Sequence, residues 1–114
     1  MSALSLLDQA QAVLEGATSG KNRIACWIAR AALEEAVRDR LRQRGRPPGG
    51  GSMRSLLTCF EVAFGDDPRL IDDAEYSWAG LSRACHHHAF ELAPTGQEAQ
   101  RLIEAARRVA GAPA

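Results

Sequence analysis

The residues best suited to chemistry lie in one short stretch, Leu81–Thr95, which reads LSRACHHHAFELAPT. It holds all three histidines of the chain, His86, His87 and His88, and it holds Arg83, five positions before the last of them. Histidine titrates near neutral pH and can take up a proton and return it. Arginine stays charged and presents several donors to a phosphate. These residue types are therefore suited to acid–base chemistry at a phosphate group.

A zinc site is the main alternative for the histidines. Zinc needs about four ligands in a tetrahedral arrangement. Neighbouring residues on a helix point about 100° apart, so Cys85 and the three histidines cannot converge on one ion. Cys85 with His88, or His87 with Glu91, could each supply two ligands. Because the chain has no other histidine, a closed site would need carboxylates or a second subunit, and we expect neither a metal nor another cofactor.

Two other stretches superficially suggest chemistry. The sequence GATSGKN, Gly16–Asn22, is similar to a phosphate-binding loop, but it is one residue short before GK and has Asn22 where Ser or Thr would bind magnesium. We interpret it as a turn between helices. Cys85 next to a histidine could act as a nucleophile, but its spacing places it on an inward stripe, where cysteine usually acts as a small hydrophobe.

The elements that must position these residues are all helical, since every long segment has helical period and none alternates like a strand. Ser52, Asp67 and Thr95 have the positions of N-caps, and Pro94 is expected to end the fourth helix. The predicted helices cover about Ala3 to Ala17, Asn22 to Arg44, Met53 to Phe64, Pro68 to the residues before Pro94, and a last one after Thr95. We predict an all-α fold, an antiparallel four- or five-helix bundle in a single domain over residues 1–114 with a flexible loop at 45–52.

The predicted fourth helix sets the relative directions of the candidate site residues. On an ideal helix Arg83 and His88 are about 140° apart, whereas Arg83, His87 and Glu91 form a row that could orient His87. His88 would then lie on the buried side, where a histidine at the edge of the core is the structural alternative to a catalytic base. Tyr76 falls off the inward stripe and is a candidate for stacking on a base. The predicted inward stripe is Leu70, Ala74, Trp78, Leu81, Cys85 and Leu92.

The spacing R-x4-H from Arg83 to His88, on a late helix of a small bundle, resembles the HEPN superfamily. The order of a long second helix, a loop and a motif-bearing helix is also similar to that family. Active members are metal-independent RNA endonucleases of toxin, defence or RNA-processing systems, and they act at a cleft between two subunits. The resemblance implies that His88 helps to deprotonate the RNA 2′-OH and that Arg83 binds the scissile phosphate. If the chain is an enzyme, we expect such an endoribonuclease.

Charge and apolar patterning bear on partners. Fourteen basic and fourteen acidic residues give a formal net charge of zero, which argues against a polyanion binder held by bulk charge. The second helix starts apolar on two sides and ends with arginines, as if projecting beyond the bundle; its basic end is either solvated or a weak anion-binding surface. Apolar residues such as Trp27 on this helix suggest a homodimer.

The rival function is a non-catalytic bundle that docks a protein partner, such as the nucleotidyltransferase found beside many HEPN-like proteins or an antitoxin-type neutraliser. Three cysteines without CxxC spacing suggest reduced thiols. The start of the chain shows neither a basic leader nor an apolar run of membrane length. We therefore expect a cytoplasmic protein with no membrane partner.

Overall fold

Five α-helices and the turns between them form the part of the chain that this computed structural model describes, residues 1–46, 51–86 and 92–111. They are α1 (Ala3–Glu15), α2 (Lys21–Gln43), α3 (Met53–Ala63), α4 (Pro68–Cys85) and α5 (Gly96–Val109). These residues include no strand, which confirms the predicted all-α class. None of the described helices is long and apolar enough to cross a membrane. Part of the predicted loop, residues 47–50, lies outside the described chain.

The helix starts follow from local side-chain chemistry. The predicted caps Ser52, Asp67 and Thr95 each accept a hydrogen bond from the backbone N–H three residues further on, at 3.2, 3.2 and 3.0 Å. The Thr95 hydroxyl also donates to the carboxylate of Glu98 at 3.2 Å. Replacing such a cap by alanine typically costs about 1 kcal/mol. The starts of α3, α4 and α5 are therefore where the sequence predicts them.

Helix α2 is the central element, since it packs against each of the other four helices. Alanine dominates its buried face, and short side chains allow neighbouring helices to approach closely. The buried residues of α2 are Ala25, Cys26, Ala29, Ala32, Leu33, Ala36, Val37 and Leu41. Because Val37 and Leu41 are 0% and 1% exposed, the second half of α2 is part of the core, and the expectation that it projects beyond the bundle was wrong.

The helix directions follow from pairs of contacts. Arg23, at the start of α2, bonds the carbonyl of Ala84 at the end of α4, while Arg30 lies over the ring of Trp78 one to two turns earlier on α4. Helices α2 and α4 are therefore antiparallel. Helices α1 and α4 are each antiparallel to α5. The contacts that show this are Leu7–Arg107 and Gln11–Gln100 for α1, and Asp73–Arg108 and Gly80–Leu102 for α4. It follows that α2 and α5 run parallel.

Helix α4 ends at Cys85, and the prediction that it continues towards Pro94 was wrong. His86 has extended backbone angles, φ −75° and ψ 126°. The carbonyl of Ala84, one residue before the end of α4, accepts from Nη1 of Arg23 at 3.1 Å. Leu92, which was expected to point inward, is 96% exposed. The helix that the sequence pattern would have extended therefore ends where Arg23 of α2 contacts its last turn.

Gly80 provides a test of how closely α4 and α5 approach. A Cβ at this position would overlap Cδ2 of Leu102 and lie 3.2 Å from its Cδ1. Gly80→Val should therefore lower the free energy of unfolding by about 1–3 kcal/mol, the usual cost of overpacking. Ala79→Val, at an exposed neighbouring position on the same helix, should cost no more than about 0.6 kcal/mol. Urea denaturation measures both, and equal losses would contradict the proposed close approach.

A carboxyl pair between α3 and α4 makes stability depend on pH. A hydrogen bond with Glu61 raises the pKa of Glu75 above its ordinary value, with smaller contributions from partial burial and from the charges of Glu61 and Asp72. The folded chain therefore binds more protons here than the unfolded chain, and this contribution to stability is present at low pH and is lost as pH rises through the raised pKa.

Glu75→Gln should consequently raise the melting temperature at pH 7 by about 1–2 °C, because an exposed like-charge pair costs only a few tenths of a kcal/mol. At pH 4, which lies below the raised pKa of Glu75, the gain should disappear. Glu61→Gln should behave in the same way, and the double variant should gain little more than either single one. A gain that persisted unchanged at pH 4 would show that the carboxyl pair is not its cause. Differential scanning calorimetry is the suitable measurement.

Candidate functional site

Arg83 and Tyr76 line one surface cleft of about 400 Å³, here named the Arg83 cleft. They lie seven positions apart on α4, which is about two turns, so both project from the same face. Gly80 lies between them and lines the same cleft. The remaining walls are Ala84, Leu92, Pro94, Glu98 and Leu102. The structure thus brings together two of the five predicted site residues.

The aromatic residues of α4 divide between surface and core as the sequence predicts. Tyr76 is 51% exposed and opens onto the Arg83 cleft. Trp78 is half-buried and packs against the core, with the Arg30 guanidinium 4.7 Å from the centre of its ring. Tyr76 is therefore the aromatic side chain on α4 that is available to a ligand, and its role in stacking stays a prediction.

The other three predicted site residues, His88, His87 and Glu91, lie outside the described residues. The end of α4 at Cys85 nevertheless changes what can be said of them. The predicted 140° between Arg83 and His88, and the predicted row from Arg83 through His87 to Glu91, both assumed a continuous helix. His86, which lies between Arg83 and these residues, is extended, so α4 does not continue unbroken from Arg83 to them, and the two relationships stay predictions. The roles of the three residues are untested.

Arg23 holds the end of α4, and sequence reasoning missed it. Its Nη1 donates to the carbonyl of Ala84 at 3.1 Å and to that of His86 at 3.0 Å. Cations at a helix C-terminus satisfy unpaired carbonyls and also interact favourably with the helix dipole. The signal in the sequence is faint, since Arg23 is only a polar residue at the start of an otherwise apolar helix. Its contact fixes the direction in which the chain leaves α4.

Asn22 holds the chain where it returns to the bundle. Its Nδ2 donates to the carbonyl of Pro94 at 3.0 Å, immediately before the cap of α5. Asn22 and Arg23 are adjacent on the first turn of α2. These two neighbouring side chains therefore hydrogen-bond to both ends of the stretch that runs from His86 to Pro94. We call the pair of Asn22 and Arg23 the clasp.

The charges around the clasp are unbalanced. Among the described residues, no carboxylate forms an ion pair with Lys21, Arg23 or Arg83. Glu98 lines the Arg83 cleft, and its carboxylate accepts from the hydroxyl of Thr95. Five arginines elsewhere form ion pairs, Arg38–Glu34, Arg42–Asp39, Arg44–Asp66, Arg107–Asp8 and Arg108–Asp73, while other arginines such as Arg69 form none among the described residues. Lys21, Arg23 and Arg83 are therefore three cations without an ion-pair partner among the described residues at this end of the bundle.

The cysteines near the site are poor nucleophiles. Burial raises the pKa of Cys26 to about 11, and the nearby Cys85 and Glu98 add to the effect while Arg23 opposes it. Burial also raises the pKa of Cys85, although Arg30 and Arg23 oppose the shift. The thiolate is the reactive form. Both thiols therefore stay protonated at neutral pH, and the interpretation of Cys85 as a small hydrophobe is the better supported one.

Within residues 1–46, 51–86 and 92–111, no three side chains of His, Cys, Asp or Glu lie together as a metal site would require. Two of the three histidines are outside these ranges. The expectation that the site holds no metal therefore stays a prediction.

Comparison with known proteins assigns no relative to the chain. No protein-family model matches it, and no curated protein or solved structure was found to match it.

The clasp predicts a specific stability effect. Arg23→Ala should lower the free energy of unfolding by about 1–2 kcal/mol, because two carbonyls lose a charged donor. Arg23→Lys keeps the charge but lacks the guanidinium fork, so it should recover only part of the loss. Arg69→Ala, an exposed arginine on the first turn of α4, is the matched control and should change stability by less than about 0.5 kcal/mol. Urea denaturation measures the free energy of unfolding of each variant. Equal stability of Arg23→Ala and Arg69→Ala would contradict the stabilising role of the clasp.

Proposed function

We propose that this chain is a HEPN-like protein that binds single-stranded RNA and cleaves it without a metal. The observation that carries the proposal is the Arg83 cleft, in which Arg83 and Tyr76 face the same space. From the end of α4 beside this cleft the chain runs directly into its remaining two histidines. A phosphate-binding group, an aromatic surface and candidate acid–base groups are therefore close in sequence to one cleft.

Arg83 has the properties that a phosphate contact needs. It is exposed, and no hydrogen bond or ion pair joins its side chain to another described residue. Its guanidinium can therefore offer two parallel donors to the non-bridging oxygens of a phosphate. The same donors would hold the additional negative charge that develops as a fifth oxygen approaches phosphorus. Tyr76, on the same face, would stack on a base next to that phosphate.

In the proposed reaction His88 takes the proton from the 2′-OH of the RNA. The 2′-oxygen then forms a bond to phosphorus while the bond from phosphorus to the 5′-oxygen breaks. The 5′-oxygen leaves with a proton from a second acid, for which His87 is the candidate, and Glu91 would orient that imidazole. The products are a 2′,3′-cyclic phosphate and a 5′-hydroxyl. No cofactor is required, since the nucleophile belongs to the substrate.

The resemblance to the HEPN superfamily also supports a homodimer in which the active cleft lies between subunits. An antitoxin-type protein would be a further partner, and the cytoplasm the compartment. These parts of the proposal rest on the spacing from Arg83 to His88 and on the all-helical bundle.

A second candidate function is a non-catalytic module that docks a protein partner, such as a nucleotidyltransferase. Two observations favour it. Active HEPN proteins usually carry a polar residue directly after the motif arginine, whereas this chain has Ala84, which is only 8% exposed. Trp27 is 55% exposed on α2, and large exposed aromatic side chains are frequent at protein interfaces.

The two functions differ in their response to mutation. Arg83→Ala and His88→Ala should each lower the rate of cleavage of single-stranded RNA by about a hundredfold or more, because each removes a phosphate-stabilising or acid–base group. The double variant should be hardly slower than either single one, since the two groups act in one step. Cleavage should proceed in EDTA and should yield a 2′,3′-cyclic phosphate, detected by gel electrophoresis and mass spectrometry.

Arg69→Ala is the matched control for Arg83→Ala. It removes an exposed arginine from the same helix, 14 positions earlier, or about 21 Å along the axis. It should cleave RNA at the wild-type rate. Intact RNA with the wild-type protein, together with a loss of stability in His88→Ala, would instead favour the docking module and a structural histidine.

A further inference from the structure

A second cleft lies on the other side of the clasp, at the start of α2. It encloses about 440 Å³ and is lined by Trp27, Ile24, Lys21 and Arg23, with Ala93 from the returning chain. We call it the Trp27 cleft. A large aromatic side chain that is 55% exposed thus stands beside two cations. Base stacking on an aromatic ring next to basic side chains is the common way of binding single-stranded nucleic acid.

The Trp27 cleft and the Arg83 cleft are neighbours. Leu92 and Pro94 line the Arg83 cleft, whereas Ala93 lines the Trp27 cleft. Three consecutive residues therefore form a shared wall, with one cleft on each side. An extended strand that occupied one cleft would need to cross only this short wall to reach the other.

Charge indicates which kind of molecule fits the Trp27 cleft. Trp27 also borders a shallow depression that holds Arg30 and Glu34. With Lys21 and Arg23, the surface around Trp27 therefore carries three positive side chains and one negative, an excess of two positive charges. Lys21 uses one Nζ donor on the carbonyl of Gly16 at 3.1 Å, which leaves two for a ligand.

A second copy of the chain is the rival occupant of this surface. In a two-fold interface the same patch meets itself. Two patches that each carry an excess of two positive charges would repel one another, whereas the phosphates of a nucleic acid would be attracted. Charge complementarity therefore favours a polyanion over self-association at Trp27.

We propose that the Trp27 cleft binds the nucleotide of single-stranded RNA that adjoins the phosphate held by Arg83. Trp27 stacks on the base, and Lys21 contacts its phosphate, while Arg23 adds positive charge although its Nη1 is engaged in the clasp. This inference rests on the proposed function, because it names further substrate contacts for the same site. It also means that the surface around Trp27, which the sequence pattern suggests as a dimer interface, binds RNA instead.

The test uses a short single-stranded 2′-O-methyl oligonucleotide, which lacks the free 2′-OH and is not cleaved. The chain has two tryptophans, so Trp78→Phe leaves Trp27 as the sole indole. Its fluorescence should be quenched saturably as the oligonucleotide binds. Trp27→Ala should raise the dissociation constant about tenfold, as expected for loss of one stacked base, and Trp27→Phe should recover part of the affinity.

Two further variants complete the experiment. Val62→Ala removes another exposed apolar side chain, 67% exposed on α3, and should leave the dissociation constant unchanged. Lys21→Glu tests the charge without altering the tryptophan, and it should weaken binding and reduce its dependence on salt. Fluorescence anisotropy of a labelled oligonucleotide measures the dissociation constants of the wild-type protein and of each variant.

The outcomes separate this inference from the proposed function. Oligonucleotide binding that Arg83→Ala weakens but that Trp27→Ala and Lys21→Glu leave unchanged would overturn the role of the Trp27 cleft and keep the RNA-binding function. The absence of any binding or cleavage by the wild-type protein would refute both. A shift of Trp27 fluorescence with protein concentration alone, accompanied by a doubled mass in light scattering, would assign the cleft to a second copy of the chain.

Discussion

The alanine-rich face of α2 is the constraint on which the rest of the structure depends. Because its buried side chains are mostly small, four other helices can contact one central helix. Leu33, Val37 and Leu41 fill the space that the alanines leave. The start of this helix is consequently in contact with both the end of α4 and the approach to α5. Arg23 and Asn22 can hydrogen-bond to these two parts of the chain, which are remote in sequence, only because the start of α2 lies between the end of α4 and the approach to α5.

How much of this could be predicted from the sequence depends on the range of each interaction. The caps Ser52, Asp67 and Thr95 act over three residues, and their positions were predicted correctly. Tyr76 and Arg83 share a face because they are seven positions apart on one helix, which is also a local relationship. The end of α4 could not be predicted in the same way, since the side chain that contacts it lies 61 residues earlier in the sequence.

The candidate site also combines local relationships, which could be predicted from the sequence, with long-range contacts, which could not. Its α4 side followed from periodicity, but its opposite wall comes from the approach to α5 and from α5 itself, through residues such as Pro94 and Leu102 that no spacing rule connects to Arg83. The local charge was also hidden, because a formal net charge of zero says nothing about which arginines are paired. Ion pairs with Glu34 and Asp39 neutralise Arg38 and Arg42, whereas Lys21, Arg23 and Arg83 have no such partner among the described residues.

The clasp has a consequence for how this protein could diversify. The ends of the stretch between His86 and Pro94 are fixed by hydrogen bonds to their backbone carbonyls, and these bonds do not depend on side-chain identity at the gripped positions. Closing a longer loop between fixed ends costs little, about 0.6 kcal/mol for each doubling of its length. Insertions and new residue types in this stretch should therefore be tolerated by the bundle. The bundle could therefore carry different sequences between His86 and Pro94, and so acquire new chemistry, without a change in the packing of its core.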